Sequence, residues 1–237
     1  MTPVRRAVLQ ARAVLRRRGE RTPPRDYRPG GDTRAIDWPA SARAGLLLMR
    51  ERRRDEPLAW SAIVDRSSSM DAGRRRALVA AAWEAVHFWR SCADARDRWI
   101  ELPDRSHPFG LRVSCEVALK VLPAHTALIV AGDFHQPDTL AADMLRKLAR
   151  RFDCTALIAD DPWRHDLAMN GFVRVSDIES GRRRDFFIDG RQRARYAKAV
   201  RARLDAIRRL LRSAGWRAAF FDESGGTAGV LRAFRLA

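Results

Sequence analysis

Leu58-Ala59-Trp60-Ser61-Ala62-Ile63-Val64, followed by Asp65-Arg66-Ser67-Ser68-Ser69-Met70, decides the fold of this 237-residue chain. The first seven residues are almost continuously apolar, which predicts a strand buried on both faces, as in a parallel sheet covered by helices. Asp65 closes the strand, and two hydroxyls follow at alternate positions, Ser67 and Ser69. In open α/β sheets, ligands collect where strands end and the strand order reverses. Asp65 therefore stands where such a site is expected.

Reading outward, a helix is predicted over about residues 73–93, with Leu78, Ala81, Ala82, Ala85, Val86 and Trp89 along one side. Residues 99–102 give a short strand, 103–110 a turn-rich loop and 114–122 one short helix. Residues 126–131 form another buried-type strand closed by Gly132-Asp133. A helix over about 138–151 and a strand over 154–159 repeat the unit. The carboxyl-terminal part predicts a hairpin (172–178 with 184–188), a long helix over 191–213 ended by Gly215, a strand over 216–221 and a helix over 229–234. Upstream lie a helix over 4–18, a loop over 19–44 punctuated by Pro and Gly, and a short strand over 46–49. Apolar strands alternating with helices predict an α/β fold with a doubly wound, mostly parallel sheet flanked by helices. Residues 1–57 read as an amino-terminal extension and 58–237 as the α/β domain.

The hydrophobic fraction of 46% and the seven Trp argue for a substantial core. The formal charge is +17, and Lys120, Lys147 and Lys198 are the lysines, so 43 of the 46 basic residues are arginine. The arginines come in blocks, among them Arg74-Arg75-Arg76, Arg182-Arg183-Arg184 and the stretch from Arg191 to Arg212. Such blocks suit nucleic acid or an acidic protein surface, and equally suit solvated helix faces. The sequence pairs them with no aromatic stacking platform, zinc knuckle or recognition-helix signature. Cys92, Cys115 and Cys154 are odd in number and lie in apolar surroundings, which predicts buried free thiols and a reducing compartment. No window approaches the roughly 20 apolar residues of a membrane span, and no signal peptide is evident. A cytoplasmic location is expected.

The loop after the first central strand has the donor chemistry of a cation site. A hard divalent ion such as Mg2+ takes oxygen ligands, keeps waters and needs few protein groups. Asp65, Ser67 and Ser69 supply a carboxylate and two hydroxyls, and Asp133, at the end of the next long strand, adds a second carboxylate through water. Such a set leaves a position for a partner's carboxylate. The same residues also suit a turn that caps the following helix.

The stretch Asp26-Tyr27-Arg28-Pro29-Gly30-Gly31-Asp32-Thr33-Arg34-Ala35-Ile36-Asp37-Trp38, followed by Ala42-Arg43 and Glu51, resembles the signature of domain-of-unknown-function family 58 (DUF58). That signature runs Y-x-P-G-D-x-x-R-x-I-D-W and then A-R, with Gly31 one extra residue here. Members continue into a D-x-S-x-S-M loop, matched by Asp65, Ser67, Ser69 and Met70, and later a strand ending Ser-Asp-Phe, matched by Gly132-Asp133-Phe134. The resemblance implies a von Willebrand A-like, Rossmann-like fold with a metal-ion-dependent adhesion-type site. It also implies a cytosolic adaptor or co-chaperone role beside a MoxR-type AAA+ ATPase. Two departures stand out: Gly132 replaces the usual serine, and the segment from Leu102 to Ala124 looks short, leaving Ser106 or Ser114 as third hydroxyl. Within the signature, Arg34, Asp37, Trp38 and Arg43 are candidates for partner binding. A structural brace built on Trp38 as an apolar anchor would bury them; a docking surface would expose them.

The residues offer little to an enzyme. Asp65 lacks the companion aspartate two positions on, and no Gly-x-Ser-x-Gly elbow or phosphate-cradling loop with a Lys is present. The five histidines show no ligand spacing; Asp160-Asp161 follow a strand and could join the cation cluster, but adjacent carboxylates there more often end the strand and face solvent. The expected function is non-enzymatic protein binding; the alternative is nucleic-acid binding through the arginine blocks.

Overall fold

The computed structural model describes residues 25–27, 36, 38–49, 57–102, 106–134, 142–161, 165, 169–177 and 180–235. The helix expected over 4–18, and Arg34 and Asp37 of the signature, lie outside them. The described part begins with an antiparallel ribbon of β1 (Arg25–Asp26) and β2 (Leu48–Met49), joined through the short helix α1 (Trp38–Ala44). Residues 38–44 read as loop in the sequence because of Pro39. Proline in the first turn of a helix lacks only an N–H that would have no helical partner, so here it starts the helix. Buried Ser41 ties α1 to β2, accepting the Leu48 N–H at 2.8 Å.

The α/β body follows: β3 (Ala59–Val64), α2 (Leu78–Ser91), β4 (Arg98–Trp99), α3 (Ser106–Val121) and β5 (Ala127–Gly132). Then come α4 (Ala142–Arg151), β6 (Asp153–Ala159), a hairpin of β7 (Gly171–Ser176) and β8 (Arg183–Ile188), α5 (Gly190–Ser213), β9 (Arg217–Phe221) and α6 (Gly226–Ala233). Five strands form the central sheet in the order β4-β3-β5-β6-β9, and every neighbouring pair is parallel. The chain lays down β3, moves outward to β4, then crosses back to β5. The strand order therefore reverses between β3 and β5, the place where doubly wound sheets open a crevice.

Strand alternation sends side chains to two cores. Trp60, Ile129, Leu157 and Phe221 pack with α2 and α6; Leu128, Val130 and Ile158 pack with α3, α4 and α5. Each fully buried large apolar side chain contributes about 1.5–3 kcal/mol. The fit is closest between α2 and α6: a Cβ on Gly226 would stand 2.0 Å from the Ala81 carbonyl oxygen. The buried Trp60 indole meets Trp89 edge-on at 4.8 Å and donates to Asp97 Oδ2 at 3.0 Å. Asp97 also accepts the N–H groups of Leu58 and Asp94, so one carboxylate satisfies the indole and pins the start of β3 to the turn before β4.

Two helix boundaries depart from the sequence reading. α3 starts at Ser106, not near 114, because Pro108 falls in its first turn and so does not break it. The segment read as too short therefore holds a full 16-residue helix. α2 starts at Leu78, later than expected, because the backbone amides of residues 74–76 are engaged elsewhere (below). Cys92, Cys115 and Cys154 are free and buried, as read. Among the described residues no helix is long and apolar enough to cross a membrane.

Candidate functional site

The end of β3 carries the site. The Asp65 N–H donates to the Ala131 carbonyl at 2.8 Å, extending the β3–β5 ladder one residue past the strand and fixing the Asp65 backbone beside Gly132. Its side chain is buried, 4% exposed, and Oδ1 accepts the Ser67 N–H at 2.9 Å, an aspartate turn that bends the loop sharply. A single 3-10 turn, Ser68–Asp71, follows, and the wholly buried Met70 anchors it in the core on the α2 side. The turn brings the Ser67 and Ser69 hydroxyls together, with their oxygens 2.9 Å apart.

Gly132 makes room for the carboxylate. A Cβ there would lie 2.8 Å from Asp65 Cβ, 2.9 Å from Leu111 Cδ1 and 3.1 Å from Asp65 Oδ2. The volume that a serine would occupy is filled by the Asp65 side chain and α3. Asp133 follows at 1% exposure, and Phe134 after it is buried with φ +53°, a left-handed conformation uncommon for a bulky residue. Backbone strain of this kind collects at functional sites, where surrounding structure holds it in place.

Asp65, Ser67 and Ser69 are thus gathered on one loop, and Asp133 stands at the end of the adjacent strand, one residue beyond the position beside Asp65. Among the described residues no three His, Cys, Asp or Glu side chains assemble into a metal-holding group, so any cation here must draw on hydroxyls and water. The Ser67 and Ser69 hydroxyls hydrogen-bond to each other at 2.9 Å, a spacing to set beside that of Mg2+ ligands. Ligands at about 2.1 Å in an octahedron stand about 3.0 Å apart along an edge, close to the spacing of the two serine oxygens. Of the two candidates for the third hydroxyl, Ser114 is buried on α3, one turn further along the helix than Leu111. Ser106 is the first residue of α3.

At the next strand end the preferred solvent-facing reading fails. Asp161 is fully buried, not solvent-facing, and accepts the Glu223 N–H at 3.4 Å; Asp160 makes a short hydrogen bond to His165. Glu223 in turn accepts the backbone N–H groups of Arg74 and Arg75 at 2.8 Å and of Arg76 at 3.4 Å. These hydrogen bonds, the Arg75 amide foremost and then those of Arg76 and Arg74, hold its carboxyl below the usual glutamate range. Three arginines in a row gave no hint that their backbone, rather than their side chains, would tie the loop before α2 to the loop after β9.

The sequence profile of the family described as protein of unknown function DUF58 matches residues 24–97 and 98–205, the greater part of the chain. The chain belongs to the DUF58 family. Uncharacterized proteins of Mycobacterium bovis and Mycobacterium tuberculosis are each 29% identical over 222 residues, covering 80% of this chain and 70% of the relative. No solved structure matches.

Of the DUF58 signature residues read as partner-binding, Trp38 and Arg43 lie among the described residues. Trp38 is 63% exposed, so it is not the apolar anchor that a brace required. Arg43 is exposed too, donating from Nε to the Pro39 carbonyl at 3.1 Å. Ile36 supplies the burial instead, at 8% exposure. The DUF58 match covers both the signature and the Asp65 loop, joining the exposed Trp38 and the buried Asp65 in one family unit.

Proposed function

We propose that this DUF58 chain is a non-enzymatic protein-binding adaptor of the cytoplasm whose Asp65 loop holds a divalent cation, most naturally Mg2+. The observation that carries the reading is the 2.9 Å separation of the Ser67 and Ser69 oxygens beside an oriented, buried Asp65 carboxylate. Asp65, Ser67 and Ser69 hold the ion, with Asp133 behind them through water. When bound, the cation supplies an electrophilic position that accepts a carboxylate from a partner. The chain's own groups do the rest: Gly132 leaves the space that Asp65 fills, the Ser67 N–H orients the carboxylate, and buried Met70 fixes the loop.

Two further features support a docking role. The loop lies at the switch point of the sheet, where fold geometry offers an open crevice, and Trp38 presents a large apolar surface to solvent. The partner inferred from the family resemblance is a MoxR-type AAA+ ATPase acting in maturation or assembly of a protein complex. The test is association of the full chain with such an ATPase, measured by biolayer interferometry in Mg2+ and in EDTA. Binding that needs Mg2+ and collapses in folded Asp65→Ala and Ser67→Ala variants supports the reading; binding indifferent to EDTA and to both substitutions overturns it.

A further inference from the structure

The hairpin between β6 and α5 stands apart from the core. Of the residues in β7 and β8, only Ile188 is buried. The register pairs Phe172 with Phe187, Arg174 with Asp185 and Ser176 with Arg183, and alternation places these six side chains on one face. That face is open to solvent: Phe172 is 86% exposed and Phe187 54%, with ring centroids 5.0 Å apart. In the next row, Arg174 holds Asp185 by two hydrogen bonds, Nε–Oδ1 at 2.7 Å and Nη2–Oδ2 at 3.0 Å. The carboxylate on the face is thereby neutralised. Arg182, Arg183 and Arg184 form the exposed end of the ribbon.

The positive charge continues into the helix. Asp189 caps α5 by accepting the Gln192 N–H at 2.7 Å, so the hairpin runs directly into a helical rod. Leu204 is the first buried residue of α5; its earlier turns are polar and solvated and carry Arg191, Arg195 and Lys198 on the exposed surface. Ribbon and rod together make a basic arm with an aromatic face, the platform that sequence reading did not find. Phe172 and Phe187 lie fifteen positions apart in the chain, and strand pairing alone makes them neighbours.

We propose that this arm binds single-stranded nucleic acid, with bases stacking on Phe172 and Phe187 and phosphates meeting Arg182, Arg183 and the first turns of α5. Exposed rings beside guanidinium groups on a basic surface are the elements of sequence-tolerant single-strand binding. A second copy of the chain is a poor occupant, since each carries a formal charge of +17. A protein interface is less well matched as well, because interface cores are depleted in charged groups and here an ion pair sits in the row beside the rings.

The experiment is fluorescence anisotropy of a labelled (dT)20 oligonucleotide with the full chain, from 50 to 300 mM NaCl, in EDTA so that the Asp65 loop plays no part. The expected result is saturable binding that weakens about tenfold or more in Phe172→Ala/Phe187→Ala, with the salt dependence unchanged. Arg182→Gln/Arg183→Gln should instead flatten the slope of log K against log salt by about 1.4. Both pairs are exposed, and matching melting temperatures check that the variants fold. Three outcomes overturn the proposal: no saturable binding at 100 mM NaCl, binding unaltered by loss of both rings, or equal competition by duplex DNA. The last two reduce the arm to a general polyanion or acidic-protein surface.

Discussion

The Asp65 carboxylate occupies the space beside Gly132 that any other residue's β-carbon would need. That Cβ would sit 2.8 Å from Asp65 Cβ and 2.9 Å from Leu111 Cδ1. Leu111 can rotate its terminal methyl away, but Asp65 Cβ is fixed by a backbone already paired to Ala131. Gly132→Ala should therefore displace the carboxylate and cost about 1–3 kcal/mol by overpacking. Urea denaturation checks the cost; a stability equal to wild type would show that the loop gives way freely.

The largest single loss of stability is expected far from the loop. Arg217 and Asp153, 10% and 13% exposed, form a short ion pair at the starts of β9 and β6. Arg217 also donates to Thr155 Oγ1 at 3.1 Å and lies 4.5 Å over the Phe234 ring. Asp153→Ala leaves a nearly buried guanidinium without its counter-ion and should cost about 3–5 kcal/mol, measured by urea denaturation. Removing both partners should cost less than the sum of the single changes.

Glu223 gives the fold an acid-side sensitivity. Its carboxyl titrates lower when folded than the 4.5 of an ordinary glutamate, because the Arg75 amide, followed by those of Arg76 and Arg74, holds the charged form. A lowered folded pKa contributes stability that is fully present above about pH 4.5 and is lost as pH falls through the folded value. Glu223→Gln should therefore lower the melting temperature at pH 7, and the gap from wild type should close as pH drops below 4.5. A gap of constant size from pH 7 to pH 3 would remove the carboxylate from the account.

The thiols should report unfolding. Burial pushes Cys115 up to about 12, with Glu116 adding to it, and burial likewise raises Cys154. Neither is a thiolate near neutral pH, so both should resist Ellman's reagent in the native protein and react fully in denaturant. Rapid labelling of Cys115 or Cys154 under native conditions would mean that α3 opens from the sheet.

The sheet was legible because its strands are fully buried and so read as continuous apolar runs: Leu58 to Val64, Thr126 to Ala131 and Cys154 to Ala159 each became a strand within a residue or two. Proline misled at Pro39 and Pro108, where first-turn positions turn apparent breakers into helix starts. The D-x-S-x-S loop was visible since its donors are close in sequence. Asp161, Glu223 and the amides of residues 74–76 were not, because their hydrogen bonds span 62 and up to 149 positions and leave no local pattern. The Phe172–Phe187 face escaped for the same reason: register, not spacing, makes it.

The most direct test of the cation loop is a Mn2+ titration of the full chain followed by electron paramagnetic resonance, with Mg2+ as competitor. The account predicts one saturable, Mg2+-displaceable site that vanishes in Asp65→Ala and weakens about tenfold or more in Ser67→Ala/Ser69→Ala. No saturable site, or one that survives Asp65→Ala unchanged, would contradict it.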